Sequence, residues 1–156
     1  MYGEKNILTM NFLVIGDVFG RSGRKEIKEN LNLIQKKFNI DFTIVNGENS
    51  AGGLGITPKI YEDFINWGAN AVTLGNHAWE KKEIIQNINE NPDNNIIRPL
   101  NFELGSPGQG LKIFNHKNGK RILVSIVHGQ TFIDIPLDNP FSSIDSKLLS
   151  IISDHN

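Results

Sequence analysis

Apolar residues along this chain come in short unbroken runs, each ending on a glycine and a polar group. Phe12-Leu13-Val14-Ile15 leads into Gly16-Asp17, and Phe42-Thr43-Ile44-Val45 leads into Asn46-Gly47-Glu48-Asn49. Ala71-Val72-Thr73-Leu74 leads into Gly75-Asn76-His77. Runs of this kind predict strands buried on both faces. Between them the period changes. Ile27, Leu31, Ile34 and Phe38 recur at helical spacing and predict a helix over 22–38. Ile60, Phe64, Ile65 and Trp67 predict a second, opened by Thr57 as N-cap and Pro58 at the first helical position. Residues 80–90 read as a third. Three successive strand–loop–helix units predict an α/β fold with a parallel sheet and right-handed crossovers.

Beyond residue 91 the pattern loosens. Residues 96–102 and 105–108 read as loops. Leu111 to Phe114 and Arg121 to Val127 predict two strands joined at Lys117-Asn118-Gly119-Lys120, where Asn-Gly is a hairpin signal. Residues 137–141 read as a further loop, and Ser143 to Ile152 as a closing helix with Ile144, Leu148 and Ile151 on one face. A helix in an α/β fold ordinarily leads into another strand, so a fold cut short at its C-terminal end is expected. Met10 immediately precedes the first strand, so residues 1–10 are expected to be a dispensable leader and 11–156 the folded part.

Composition narrows the chemistry. With 16 Lys+Arg against 17 Asp+Glu in 156 residues, no basic excess points to a nucleic-acid-coating or membrane-surface protein. No run approaches the length of a membrane span, and the first ten residues lack a signal peptide's apolar stretch. Cysteine is absent, which excludes disulfides and thiolate metal sites. Any metal must sit on Asp, Glu, Asn, His or water. A cytoplasmic location is expected.

In parallel sheets ligands bind beyond the carboxyl ends of the strands. All three predicted strand tips carry polar groups there: Asp17, Glu48 with Asn49, and Asn76 with His77. Asp17 is a hard anionic ligand for Mg, Mn, Fe or Zn, or else an ordinary turn aspartate. Glu48 is able to bridge two cations, although a loop glutamate is more often a solvated charge. Asn49 and Asn76 offer neutral amide oxygens. His77 titrates near neutrality and suits protonation of a leaving alkoxide, against a capped turn with a surface histidine. Gly52-Gly53-Leu54-Gly55 lacks the Lys-Ser/Thr of a P-loop and reads as structural. His116 is expected to be exposed in the hairpin, and His128 to be a satisfied core or edge histidine. His155 is expected to fray at the terminus. Trp67 and Trp79 suit packing better than base stacking.

Seven motifs in order carry a resemblance. They are Gly16-Asp17-Val18-Phe19-Gly20, Asn46-Gly47-Glu48-Asn49, residues 52–57, residues 73–79, Arg98-Pro99-Leu100-Asn101-Phe102, residues 107–110 and residues 136–141. Together they cover most of residues 11–141 and resemble the YmdB-like branch of the calcineurin-type metallophosphoesterases. The resemblance implies an α/β/β/α sandwich and a dinuclear metal phosphodiesterase acting on cyclic nucleotides such as 2′,3′-cyclic AMP. It implies two divalent ions (Fe, Mn or Mg), the first held by Asp17 and Asn49, the second by Asn76, with Glu48 bridging both. It implies His77 as the catalytic acid. The metals would polarise the phosphoryl oxygen and activate water. Family members continue further and supply three histidine ligands in motifs absent here, so a truncated form with uncovered apolar surface is expected. His128 stands where the family usually carries an apolar residue. The alternative function is a non-catalytic remnant binding a nucleotide or a partner protein, and an oligomer is compatible with either.

Overall fold

The computed structural model describes residues 9–153. The expected leader up to residue 8, and His155, lie outside the described residues. Four parallel strands form one sheet in the order β1 (Phe12–Ile15), β2 (Phe42–Asn46), β3 (Ala71–Thr73), β4 (Ile96–Ile97). Helices α1 (Gly20–Lys37), α2 (Pro58–Trp67) and α3 (Lys82–Glu90) fill the crossovers. Strands that pair in sequential order, with crossovers of one hand, send every connecting helix to the same face. The packing follows: Ile27 and Leu31 from α1, Phe64 from α2, and Ile84 and Ile88 from α3 share a core with Val45, Val72 and Ile96. Each such aromatic or branched side chain contributes about 1.5–3 kcal/mol on burial.

The opposite face of the sheet carries the alternate residues. Phe42, Ala71 and Ile97 meet Ile122 and Val124 of an antiparallel hairpin, β5 (Leu111–Asn115) with β6 (Arg121–Ser125). Met10 packs against this second cluster. The hairpin does not extend over β1, where Phe12 and Val14 are 48% and 67% exposed. Uncovered apolar surface, expected from the sequence, is thus found along this edge strand. The last helix, α4 (Pro140–Ser153), also leaves Phe141 and Leu149 exposed. Among the described residues no helix is long and apolar enough to cross a membrane.

Several boundaries differ from the sequence reading. Ile96-Ile97 is a fourth parallel strand inside a stretch read as loop, paired as Val72↔Ile96 and Thr73↔Ile97. Two residues are too few to show a period, and only the pairing reveals them. α4 begins at Pro140 because Asn139 caps it, its Oδ1 accepting from the N–H groups of Phe141 (2.9 Å) and Ser142 (3.3 Å). That Asn-Pro pair repeats the Thr57-Pro58 signal, where Thr57 Oγ1 accepts from Ile60 N at 3.2 Å. β6 stops at Ser125, short of Val127. Phe38 lies past the end of α1 and is 55% exposed rather than on its apolar face. His116 is half-buried, its backbone closing the hairpin turn with Lys120 and Gly119.

Candidate metal centre at the strand tips

Parallel register brings three strand ends side by side. Ile15 pairs with Val45, and Asn46 with Thr73, so the loops that follow leave the sheet together. Backbone bonds then tie the tips to one another. Val18 N–H donates to Asn46 O (3.0 Å), Gly20 N–H to Asn49 O (3.0 Å), and Gly47 N–H to Thr73 O (3.0 Å). Ser50 is fully buried, its hydroxyl donating to Gly47 O at 2.7 Å, while Arg24 reaches across from α1 to donate to Ser50 O. The glycine-rich loop closes on itself, Ala51 N–H donating to Gly55 O at 2.9 Å, as its structural reading requires.

The polar groups at these tips meet as one pair, one trio around Asn76 and one carboxylate with an unpaired oxygen. Asn49 Nδ2 donates to Asp17 Oδ1 at 2.8 Å. That bond turns the other end of the amide inward, and Asn49 Oδ1 is buried without a hydrogen-bond partner. Glu48 Oε2 is likewise buried and unpaired. It lies against Gly75, where a Cβ would stand only 1.6 Å from it. Asn76 faces two imidazoles: its Nδ2 is 3.1 Å from His77 Nε2, and its Oδ1 is 3.2 Å from His128 Nε2. His77 Nδ1 is in turn 3.6 Å from Glu80 Oε1. A cleft of about 500 Å³ opens beside Asn76, with Trp79 and Phe102 among its walls, their rings packed edge to face at 6.1 Å.

Electrostatics agree with this geometry. Burial, and then the negative charge of Asp17, push the Glu48 carboxyl above its ordinary value of 4.5, with His128, His77 and the His77 backbone N–H opposing. A buried carboxylate oxygen, a buried amide oxygen and a second carboxylate close by lack a positive counterpart. A hard divalent cation is what such oxygens suit. Among the described residues no three His, Asp or Glu side chains gather tightly enough to hold a metal by themselves. The side-chain oxygens of Asn49 and Asn76 stand beside these carboxylates, and with them the donor set fits an oxygen-rich site.

The raised Glu48 value carries a stability consequence. In the window above 4.5 the folded chain retains a proton that the unfolded chain has released, so stability falls as pH rises through it. Above the window the penalty stays. Glu48→Gln removes the charge and keeps the shape, so in metal-free buffer it should melt at a higher temperature than the parent at neutral pH. The two should converge at about pH 3.5, below the ordinary Glu value. A thermal melt series across pH reads this, and a variant that melts lower than the parent at pH 7 would contradict it.

Two participants were not singled out from the sequence as site residues. Gly75 makes room for the Glu48 carboxylate. Asn101, fully buried, accepts from His128 N–H at 2.8 Å and donates to His128 O at 2.9 Å. His128, read as a satisfied histidine, does find partners, and one of them is Asn76 of the site.

Comparison with known proteins agrees. A YmdB-like protein family profile matches residues 13–156. The chain is 46% identical over 139 residues to the 2′,3′-cyclic-nucleotide 2′-phosphodiesterase of Bacillus subtilis (strain 168), covering 89% of this chain and 51% of that protein. The crystal structure of a hypothetical protein from Thermus thermophilus superposes with a TM-score of 0.79 at 36% identity, over 89% of this chain and 52% of that one. A phosphatase structure from Mycoplasma pneumoniae gives a TM-score of 0.80 at 33% identity, over 90% and 51%. The chain spans about half the length of the curated relatives it matches. Motifs, fold and site geometry place it in one group: the chain belongs to the YmdB-like family.

Proposed function

We propose that this chain carries one side of a dinuclear metal site in a phosphodiesterase that hydrolyses cyclic nucleotides of the 2′,3′-cyclic AMP type. The observation that carries the reading is the pair of buried, unpartnered oxygens, Glu48 Oε2 and Asn49 Oδ1, beside Asp17 and Asn76 at neighbouring strand tips. Asp17 and Asn49 would hold one cation (Fe, Mn or Mg), Asn76 the other, and Glu48 both. When bound, the cations neutralise charge on the phosphoryl oxygens and lower the pKa of water. The three-layered packing of helices, parallel sheet and hairpin is read as part of an α/β/β/α sandwich, and a cytoplasmic location suits a cyclic-nucleotide substrate.

The chain's own residues divide the remaining work. The Glu48 carboxylate lies in the space left by the missing side chain of Gly75. His77 is half-buried at the mouth of the site, with Glu80 on its Nδ1 side and Nε2 directed towards Asn76. Protonated at Nε2, it would donate to the departing ribose oxygen. The cleft beside Asn76 offers the aromatic walls of Trp79 and Phe102 to a nucleoside. One observation favours a second reading, nucleotide binding without hydrolysis: no three acidic or imidazole side chains among the described residues converge on one point.

Hydrolysis of 2′,3′-cyclic AMP by the purified, folded chain, with and without Mn²⁺, separates the two. Asp17 is exposed and accepts one hydrogen bond from Asn49, so Asp17→Ala should fold. Mn²⁺-dependent turnover that disappears in that variant is the expected result. Nucleotide binding with no turnover would establish the second reading in place of the first.

A further inference from the structure

His128 lies just past the end of the hairpin's second strand, far in sequence from the three tips, and its ring is held from both sides. Its backbone is clamped by Asn101, a fully buried amide that both donates to and accepts from it. Its Nδ1 lies 2.9 Å from the carbonyl oxygen of Gly129. With the ring proton on Nδ1, that contact is a hydrogen bond and Nε2 carries the lone pair. Nε2 stands 3.2 Å from Asn76 Oδ1, with the same amide's Nδ2 turned to His77. In that tautomer two lone pairs face one another, an arrangement that a shared cation would relieve.

We propose that His128 Nε2 is a metal ligand, standing next to Asn76 Oδ1 on the same divalent cation. The inference rests on the cation site proposed above. Two features support it. Two adjacent ligands at about 2.1 Å from one ion stand roughly 3.0 Å apart in octahedral and 3.4 Å in tetrahedral geometry, which brackets the observed separation. A ring whose Nδ1–H donates to a backbone carbonyl while Nε2 points into a site is the usual posture of a metal-binding histidine. The described residues thereby contribute one imidazole to a shell that otherwise consists of oxygens.

Mn²⁺ alone is the probe. The full chain, labelled with ¹⁵N-histidine, is titrated calorimetrically and its Mn²⁺ complex examined by electron spin-echo spectroscopy. A nitrogen coupling of directly bound imidazole is expected in the parent and in His77→Ala. It should vanish in His128→Met, with affinity weakened roughly tenfold or more. Mn²⁺ binding without any imidazole coupling in the parent overturns the inference and leaves the cation site standing, whether or not the variant folds. A coupling that persists in His128→Met, or one lost only in His77→Ala, also overturns it. No Mn²⁺ binding by the folded parent overturns the inference and the cation site together.

Discussion

Gly75→Ala should reduce Mn²⁺ affinity at the strand tips by roughly a hundredfold or more, while leaving fold stability within about 1 kcal/mol of the parent. The added Cβ would stand 1.6 Å from Glu48 Oε2 and 2.4 Å from Glu48 Cδ. No real contact is that short, so something has to move. The atoms in the way are the far end of a long, flexible side chain, and the carboxylate is free to swing out towards water. Gly75 is not in the left-handed region of backbone space, so alanine adds no strain there. The displaced carboxylate leaves a buried position in which Oε2 had no partner, and that exchange offsets any packing loss. A metal ligand is thus removed without touching the ligand itself. Calorimetric titration with Mn²⁺ and a thermal melt on the same sample read both halves. Unchanged affinity would mean that Glu48 is not a ligand, and a loss of several kcal/mol would mean that Gly75 serves the core.

Gly47, adjacent in the chain to the same glutamate, shows why position decides. A Cβ there would meet Ile56 Cδ1 at 3.0 Å, Val72 Cγ1 at 3.1 Å and Phe64 Cε2 at 3.2 Å. Those are core atoms with no freedom to retreat, so the same substitution would act by overpacking. The sequence does not report what surrounds either glycine, since each simply stands at the polar end of an apolar run. The strand tips themselves are legible, because apolar runs ending in polar residues report both a buried strand and its exposed end. Asp17, Glu48, Asn49 and Asn76 accordingly fall at one sheet edge on the sequence pattern alone. β4 does not emerge that way, since Ile96-Ile97 is too short to carry a period and becomes a strand only by pairing with β3. The N-cap of α4 has a sequence signal, but Asn139-Pro140 lies inside a stretch that reads as loop. The link between Asn101 and His128 is beyond sequence reasoning. It joins a loop to the end of a strand 27 positions away, and no local pattern reports such a contact.

That link supports the second large effect. Asn101 is fully buried, and its side chain makes three hydrogen bonds: from His128 N–H to Oδ1 at 2.8 Å, and from Nδ2 to His128 O at 2.9 Å and to Asp138 O at 3.0 Å. Its own carbonyl accepts from Asp138 N–H at 2.9 Å, so the residue binds the end of β6 and the segment leading into α4 to the loop after β4. Asn101→Ala leaves one N–H and two carbonyl groups without those partners. Each such group, if buried, costs about 1–3 kcal/mol. Part of that is recovered where water enters, so a loss of roughly 3–5 kcal/mol in urea unfolding is expected, a large share of an ordinary domain's 5–15 kcal/mol. The damage should be concentrated on one side of the molecule. Amides of β1, β2 and β3 rest on the helix-side core and should keep their hydrogen-exchange protection relative to the new global stability, while those of β6 and α4 lose more. A loss below about 1 kcal/mol would show that water replaces all three bonds. It would also remove the reason for regarding His128 as rigidly placed, because the side chain that clamps its backbone on both the N–H and carbonyl sides is this buried amide.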